Sequence, residues 1–194
     1  MQPLRKIVII GPESTGKSTL CQQLAQHYQT LWCPEFAREY LLKNGTNYSF
    51  DDLATIAKGQ LDLEENYKSK VKSQNQKFKI ENNKLQFPIP NSQFLFSDTD
   101  MYVMKVWCEF VFGKCHQFIL DEIATRKYDL YLLCNIDLPW VADELREYPN
   151  EEPRIELFNI YKTILQNQQT PWHLISGTNE ERLNNAIKII DKAF

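Results

Sequence analysis

The chain has 194 residues, 43% of them apolar and 24% charged, with a formal net charge of −3. That length suits one domain with its own core, and the charge gives no electrostatic reason to hold duplex nucleic acid. Cys21, Cys33, Cys108, Cys115 and Cys134 are odd in number and form no C-x-x-C pair, so reduced thiols in a cytoplasmic protein are expected, with neither a disulfide framework nor a zinc site.

Residues 5–10, RKIVII, are β-branched and apolar, the pattern of a strand buried on both faces of a parallel sheet. After a glycine-rich turn, Leu20, Leu24 and Tyr28 recur at helical spacing. LWCPE reads as a second strand ending at Pro34-Glu35, and FAREYLLKNG as a short helix closed by Gly45. Residues 49–74 read as a long helix capped by Ser49 or Asp51. From 68 to 84 there are six lysines against one glutamate, read as a solvated helix end and loop, with a functional basic patch as the alternative. Pro88 and Pro90 forbid a continued helix. FLFS (94–97), YDLYLLCNI (128–136) and WHLIS (172–176) read as further strands. Thr178 and Glu181 have capping-box spacing, ahead of Leu183, Ala186, Ile187 and Ile190 on one helical face. Alternating strands and helices predict one α/β domain over 1–194, with a parallel sheet between helix layers, an insertion at about 68–93 and a lid at about 139–155. No apolar run approaches the ~18 residues of a membrane span, and the first strand follows Met1 too closely for a signal peptide to be expected.

The stretch IVIIGPESTGKSTLCQQLA carries the strongest chemical signal. Gly11-Pro-Glu-Ser-Thr-Gly16-Lys17-Ser18 fits the phosphate-loop pattern at every fixed position, between an apolar strand and an amphipathic helix. Such a loop aims backbone N–H groups at phosphate oxygens, and the positive end of the following helix adds to the attraction. Lys17 is expected on the β- and γ-phosphates and the Ser18 hydroxyl on Mg²⁺. The nucleotide-binding set is therefore Gly11, Glu13, Ser14, Thr15, Gly16, Lys17, Ser18 and Thr19, joined by Gly177 late in the chain.

Ligands of open parallel sheets collect at the carboxyl ends of strands. Three such ends carry polar residues. Glu35 leaves a buried strand with Arg38 three residues on, a candidate general base and anion clamp, or else an exposed helix-start pair. Asp98-Thr99-Asp100 places Asp98 where P-loop enzymes hold Mg²⁺ through water, unless both acids are merely turn residues. The stretch from Asp137 to Arg154 contains Asp143, Arg146 and Arg154, and arginines on a segment that closes would meet a transferring phosphoryl group.

GPESTGKSTL, PEFAREYL, FSDTDMYVMKVW, LYLLCNIDLPWVADELRE and LISGTNEERL occur in the order seen in NadR-type ribosylnicotinamide kinase domains, which the chain resembles from Lys6 to about Ile190. The resemblance implies an ATP- and Mg²⁺-dependent kinase that phosphorylates nicotinamide riboside to nicotinamide mononucleotide. It implies Lys17 and Ser18 at ATP, Glu35 and Arg38 by the riboside, Asp98 by the metal, and Arg146 with Arg154 on the lid. Two departures stand out. His27, His116 and His173 form no H-x-G-H, so adenylyl transfer is expected of a separate NMN adenylyltransferase, and the Lys/Asn-rich segment is long for the family.

The expected mechanism has Glu35 accepting the 5′-hydroxyl proton, with Asp98 or Asp100 as alternative bases. Nicotinamide riboside carries a cationic ring, which suits an aromatic and acidic pocket. Tyr40, Tyr102 and Trp107 are candidates for stacking, or else core residues, and Asp100 and Asp143 complete the substrate set. Competing readings are another nucleoside or nucleotide kinase, and a nucleotide-binding sensor or ATPase module without useful turnover.

Overall fold

Arg5–Ile10 form β1, whose last four residues are wholly buried, as expected of an apolar β-branched run with helices on both sides. The structure, a computed structural model, describes residues 3–81, 93–148 and 150–194, by backbone alone over 74–81. The other strands are β2 (Trp32–Cys33), β3 (Phe94–Asp98), β4 (Leu130–Cys134) and β5 (Trp172–Ile175), in the sheet order β2-β3-β1-β4-β5. All pairings are parallel. The helices are α1 (Lys17–His27), α2 (Phe36–Asn44), α3 (Phe50–Glu81), α4 (Met101–Phe112), α5 (Gln117–Thr125), α6 (Glu151–Gln166) and α7 (Asn179–Ala193).

The two faces of β1 explain the layers. Ile7 and Ile9 pack with Leu20 and Leu24 of α1 and with Ala186 and Ile190 of α7. Val8 and Ile10 point the other way, onto Val103 and Val106 of α4 and Leu157, Tyr161 and Leu165 of α6. A third cluster joins Ala37 of α2, Leu53, Ile56 and Ala57 of α3, Met104 and Cys108 of α4 and Ile119 of α5. This cluster makes a lobe beyond the β2 edge, and the lobe and sheet share α4. Residues on α4 are therefore apolar on two sides, which masks a helical period.

Local chemistry sets the element ends. Ser49 and Asp52 exchange side-chain and backbone hydrogen bonds at the start of α3, at 2.8 and 3.3 Å. Thr178 and Glu181 form the expected capping box on α7. A Cβ on Gly59 would lie 2.2 Å from the Phe36 ring, so α3 approaches α2 only because position 59 lacks one. Gln60, 2% exposed, accepts from the Phe36 amide at 2.7 Å and donates to the Pro34 carbonyl at 3.2 Å. Those bonds grip the backbone on both sides of Glu35. At the opposite sheet edge the Arg182 guanidinium, 1% exposed, donates to the carbonyls of Gly177, Ile175 and Asn135 and to the Asp137 carboxylate.

Two expected boundaries shift. Helix α3 runs on to Glu81, into the Lys/Asn-rich segment, whose residues 82–92, with Pro88 and Pro90, lie outside the described residues. The expected lid splits: residues 139–148 are irregular, but α6 already begins at Glu151, with Pro153 in its first turn, where a missing N–H breaks no helical bond. Pro149 lies outside the described residues. Among the described residues no helix is long and apolar enough to cross a membrane.

Candidate active site

The cradle is built where β1 ends. Gly11 has φ 144°, and a Cβ there would sit 2.9 Å from the Cys134 carbonyl oxygen, so only glycine lets the loop leave between β1 and β4. The loop then folds over its own Pro12 carbonyl, which accepts from the buried Thr15 hydroxyl at 2.7 Å and from the Lys17 ammonium at 2.9 Å. Unsatisfied amides in the first turn of α1 face the same loop.

Beside it, Asp98 ends β3 in register with Ile9 and is 1% exposed. The Ser18 hydroxyl donates to Asp98 Oδ2, while Oδ1 is buried without a partner. Burial raises the Asp98 carboxyl above the usual range, and Lys17 and Ser18 oppose that rise. Thr99 follows at φ 90°, a left-handed conformation that costs a β-branched residue free energy. A hydroxyl and one carboxylate fit Mg²⁺, which keeps waters and phosphate oxygens for its remaining positions. An orphaned buried carboxylate oxygen is what such an ion would satisfy. Among the described residues no cluster of three or more His, Cys, Asp or Glu could hold a metal by itself.

A cavity of about 350 Å³ continues from the cradle. Residues 11–19 and Asp98 form its floor, Glu35 and Arg38 one side, and Trp107 and Phe110 the far wall. Asp143, Arg146, Glu147 and Tyr148 come over from the lid. Glu35 is pushed up to about 7 by burial and by the Asp98 charge, against the pull of Lys17 and Arg38.

The irregular segment 139–148 is held from both sides. Glu13 accepts the amides of Tyr148 and Glu147 at 2.5 and 3.1 Å, and the Ser14 hydroxyl accepts the Val141 amide at 3.0 Å. Arg38 forms a two-pronged pair with Asp143 at 3.0 and 3.2 Å, which holds the Asp143 carboxyl below its ordinary value. Trp107 Nε1 donates to the Tyr48 hydroxyl at 2.9 Å, and that hydroxyl donates to Glu147 at 3.0 Å.

The structure brings together Gly11 and residues 13–19, Glu35, Arg38, Asp98, Trp107, Asp143 and Arg146 around one cavity. It leaves four assigned side chains elsewhere. Tyr40 donates to Asp52 at 2.5 Å, because α2 turns that face toward α3. Asp100 caps α4, accepting the Tyr102 amide at 3.0 Å and the Tyr131 hydroxyl at 2.7 Å, and with Tyr102 it lines a separate cavity. Arg154 sits 6% exposed in the first turn of α6 and does not line the cavity. Two nucleotide assignments also change in kind. The Glu13 carboxylate is engaged with residues 147 and 148, and Gly177 is outside the cavity lining, its amide donating to Asp137 at 2.7 Å.

Phe110 lies seven residues after Val103 and three after Trp107 on α4, but the apolar residues on that helix's other side hide this spacing in the sequence. Tyr48, Glu147 and Tyr148 come from irregular segments, where no periodicity marks a side chain as inward-facing.

The NAD biosynthesis/regulator protein NadR of Escherichia coli (strain K12), named as trifunctional, is 28% identical over 84% of this chain and 36% of its own length. NadR of Salmonella typhimurium (strain LT2) is 25% identical over 96% of this chain and 42% of its own. The chain thus spans less than half the length of these curated relatives. A crystal structure of NadR in complex with NR shares the fold at TM-score 0.73 and 22% identity, covering 97% of this chain and 49% of that one. Thymidylate kinase from Ehrlichia chaffeensis shares it at TM-score 0.59 and 13% identity, covering 96% and 98%. Residues 6–182 match the family model described as an AAA domain: the chain belongs to that P-loop family and is a homologue of NadR.

Proposed function

We propose that this chain is an ATP-dependent nucleoside kinase that phosphorylates the 5′-hydroxyl of nicotinamide riboside, giving nicotinamide mononucleotide. One observation carries the reading: a single cavity joins a phosphate cradle to an aromatic wall edged with Glu35, Asp143 and Glu147. Its volume suits a small nucleoside. Carboxylates and aromatic faces together favour a ring bearing positive charge. Homology to NadR and the NR complex of a NadR protein support the same acceptor.

The riboside hydroxyl oxygen attacks the γ-phosphorus of ATP while the bond to the β-bridging oxygen breaks and ADP leaves. The hydroxyl proton passes to Glu35, whose carboxyl near 7 is matched to that task at neutral pH. Lys17 and the first-turn amides of α1 hold the phosphate chain, and Arg146 meets the charge of the transferring group. Ser18 and Asp98 would hold Mg²⁺, which when bound supplies further neutralisation of that charge.

The test is ATP consumption against a panel of nucleosides and nucleotides, with and without nicotinamide riboside, the product identified by mass. Preferred transfer to nicotinamide riboside is expected. Preference for another acceptor would keep the kinase and replace its substrate. ATP binding with no transfer to any acceptor would leave the sensor reading.

A further inference from the structure

Charge pairing separates two groups of arginines. Arg5, Arg38, Arg126 and Arg182 each contact a carboxylate, at Asp129, Asp143, Glu64 and Asp137 respectively. Arg146 and Arg154 form no ion pair among the described residues. Both instead stand over one indole: the Arg146 guanidinium carbon is 5.8 Å from the Trp140 ring centroid and that of Arg154 is 5.7 Å. Their remaining bonds go to neutral backbone acceptors, the Val141 carbonyl for Arg146 and the Leu138 carbonyl, at 3.5 Å, for Arg154. Arg154 Nε is buried with no partner at all.

Deepening the kinase reading on which it rests, we propose that Trp140 is a positioning residue that holds Arg146 of the irregular segment and Arg154 of α6 ready for the phosphoryl group. A carboxylate partner would compete with phosphate oxygens for the same N–H donors. An aromatic face attracts a cation through its quadrupole and leaves those in-plane donors open. It also lets two like charges share one support, which an ion pair at either arginine would not do. Leu138 and Trp140 belong to the same short irregular segment, and Leu138 packs 3.1 Å from where a Cβ on Gly16 would stand. The indole thus connects Arg154, which does not line the cavity, to Arg146, which does. The unpartnered Nε gives Arg154 a reason to move forward when anionic charge arrives.

The experiment compares Trp140→Leu and Trp140→Phe with Arg146→Ala and Arg154→Ala in the full chain. Trp140→Leu should lower kcat about three- to thirtyfold, between the weight of an exposed cation–π contact and that of a desolvated one, because the indole is half-buried, with ATP affinity nearly unchanged. Trp140→Phe should restore most of it. Adding Trp140→Leu to the Arg146→Ala/Arg154→Ala double variant should cost nothing more, whereas a merely structural tryptophan would lower kcat again and overturn the proposal. A readout independent of turnover is the NMR shift of the arginine δ-methylene protons, assigned through the two alanine variants. Ring-current displacement of both in the wild type, lost in Trp140→Leu, is expected. Undisplaced resonances in the wild type would overturn Trp140 as the platform even if no acceptor were phosphorylated. Displaced resonances with no phosphorylated acceptor would instead count against the kinase.

Discussion

The two walls of the cavity are made by opposite means. On the cradle side, Gly11, Lys17, Ser18 and Asp98 project from the ends of buried parallel strands and the start of a helix. On the lid side, residues 139–148 have no regular structure and are pinned by side chains that reach across to them, from Glu13, Ser14, Arg38 and Tyr48. The cradle is fixed charge and fixed dipoles, available before any ligand arrives. The opposite wall carries Arg146 on an irregular segment whose position depends on those side-chain contacts. The difference teaches a division of labour under the proposed kinase reading: the wall of regular elements would receive the phosphate chain, and the irregular wall would meet the group in transfer.

Substitutions should separate the two walls, the cradle giving the largest effects. Lys17→Ala should cut turnover by at least about 10²–10³-fold while the chain still folds, with a lower melting temperature at neutral pH because the Lys17 charge opposes those of Asp98 and Glu35. Near-normal kinetics would remove residues 11–18 from the ATP site. Glu35→Gln should lower turnover by about 10²–10⁴-fold and abolish an acidic limb near pH 7 in kcat/KM, because the base must be deprotonated. A pH profile measured on both proteins checks this. The stability sign is opposite. A carboxyl whose folded value is raised binds its proton more tightly in the native state, so stability falls as pH rises from about 4.5 to about 7. Thermal melts should therefore show Glu35→Gln gaining over wild type at pH 8 and losing that advantage at pH 4.

On the lid side, Arg146→Ala should lower kcat by about 10²-fold while ATP affinity, measured by direct binding, changes much less. Equal losses in both would make Arg146 a ground-state binder. Glu13→Gln removes the charge that accepts two lid amides. A rise in hydrogen exchange confined to Glu147 and Tyr148, with a fall of only a few-fold in turnover, is expected. Smallest is Asp143→Asn. It loosens a pair whose arginine is half exposed, so the melt should shift by less than about 1 kcal/mol of stability.

The rigid wall was also the legible one. The Gly11–Ser18 spacing, the apolar run of β1 and the acids after FLFS state their chemistry in sequence, because strand ends and phosphate loops tie function to local pattern. Asp100 shows the limit. Two residues from Asp98, it has the same type and the same loop, yet its carboxylate turns back to cap α4 and meets Tyr131 from β4. Only the tertiary contact distinguishes the two acids. Tyr40 and Tyr102 failed as stacking residues for a related reason, since an aromatic on an amphipathic helix has several faces to choose from. Trp107 reached the cavity through the same kind of choice, made by the packing of α4 between sheet and lobe. On the lid, backbone amides bonded to Glu13 leave no trace in residue type.

Arg182 sets a practical lower limit on the length of the folding unit. Its side chain answers three carbonyls and one carboxylate at the far sheet edge, and it is wholly enclosed there. Any shortened version ending ahead of it would take this guanidinium from the Asn135 carbonyl and the Asp137 carboxylate, at the margin of a sheet stripped of its α7 cover. For work with fragments or fusions, the usable C-terminal border therefore lies beyond α7, at the far end of the helix that carries this one arginine.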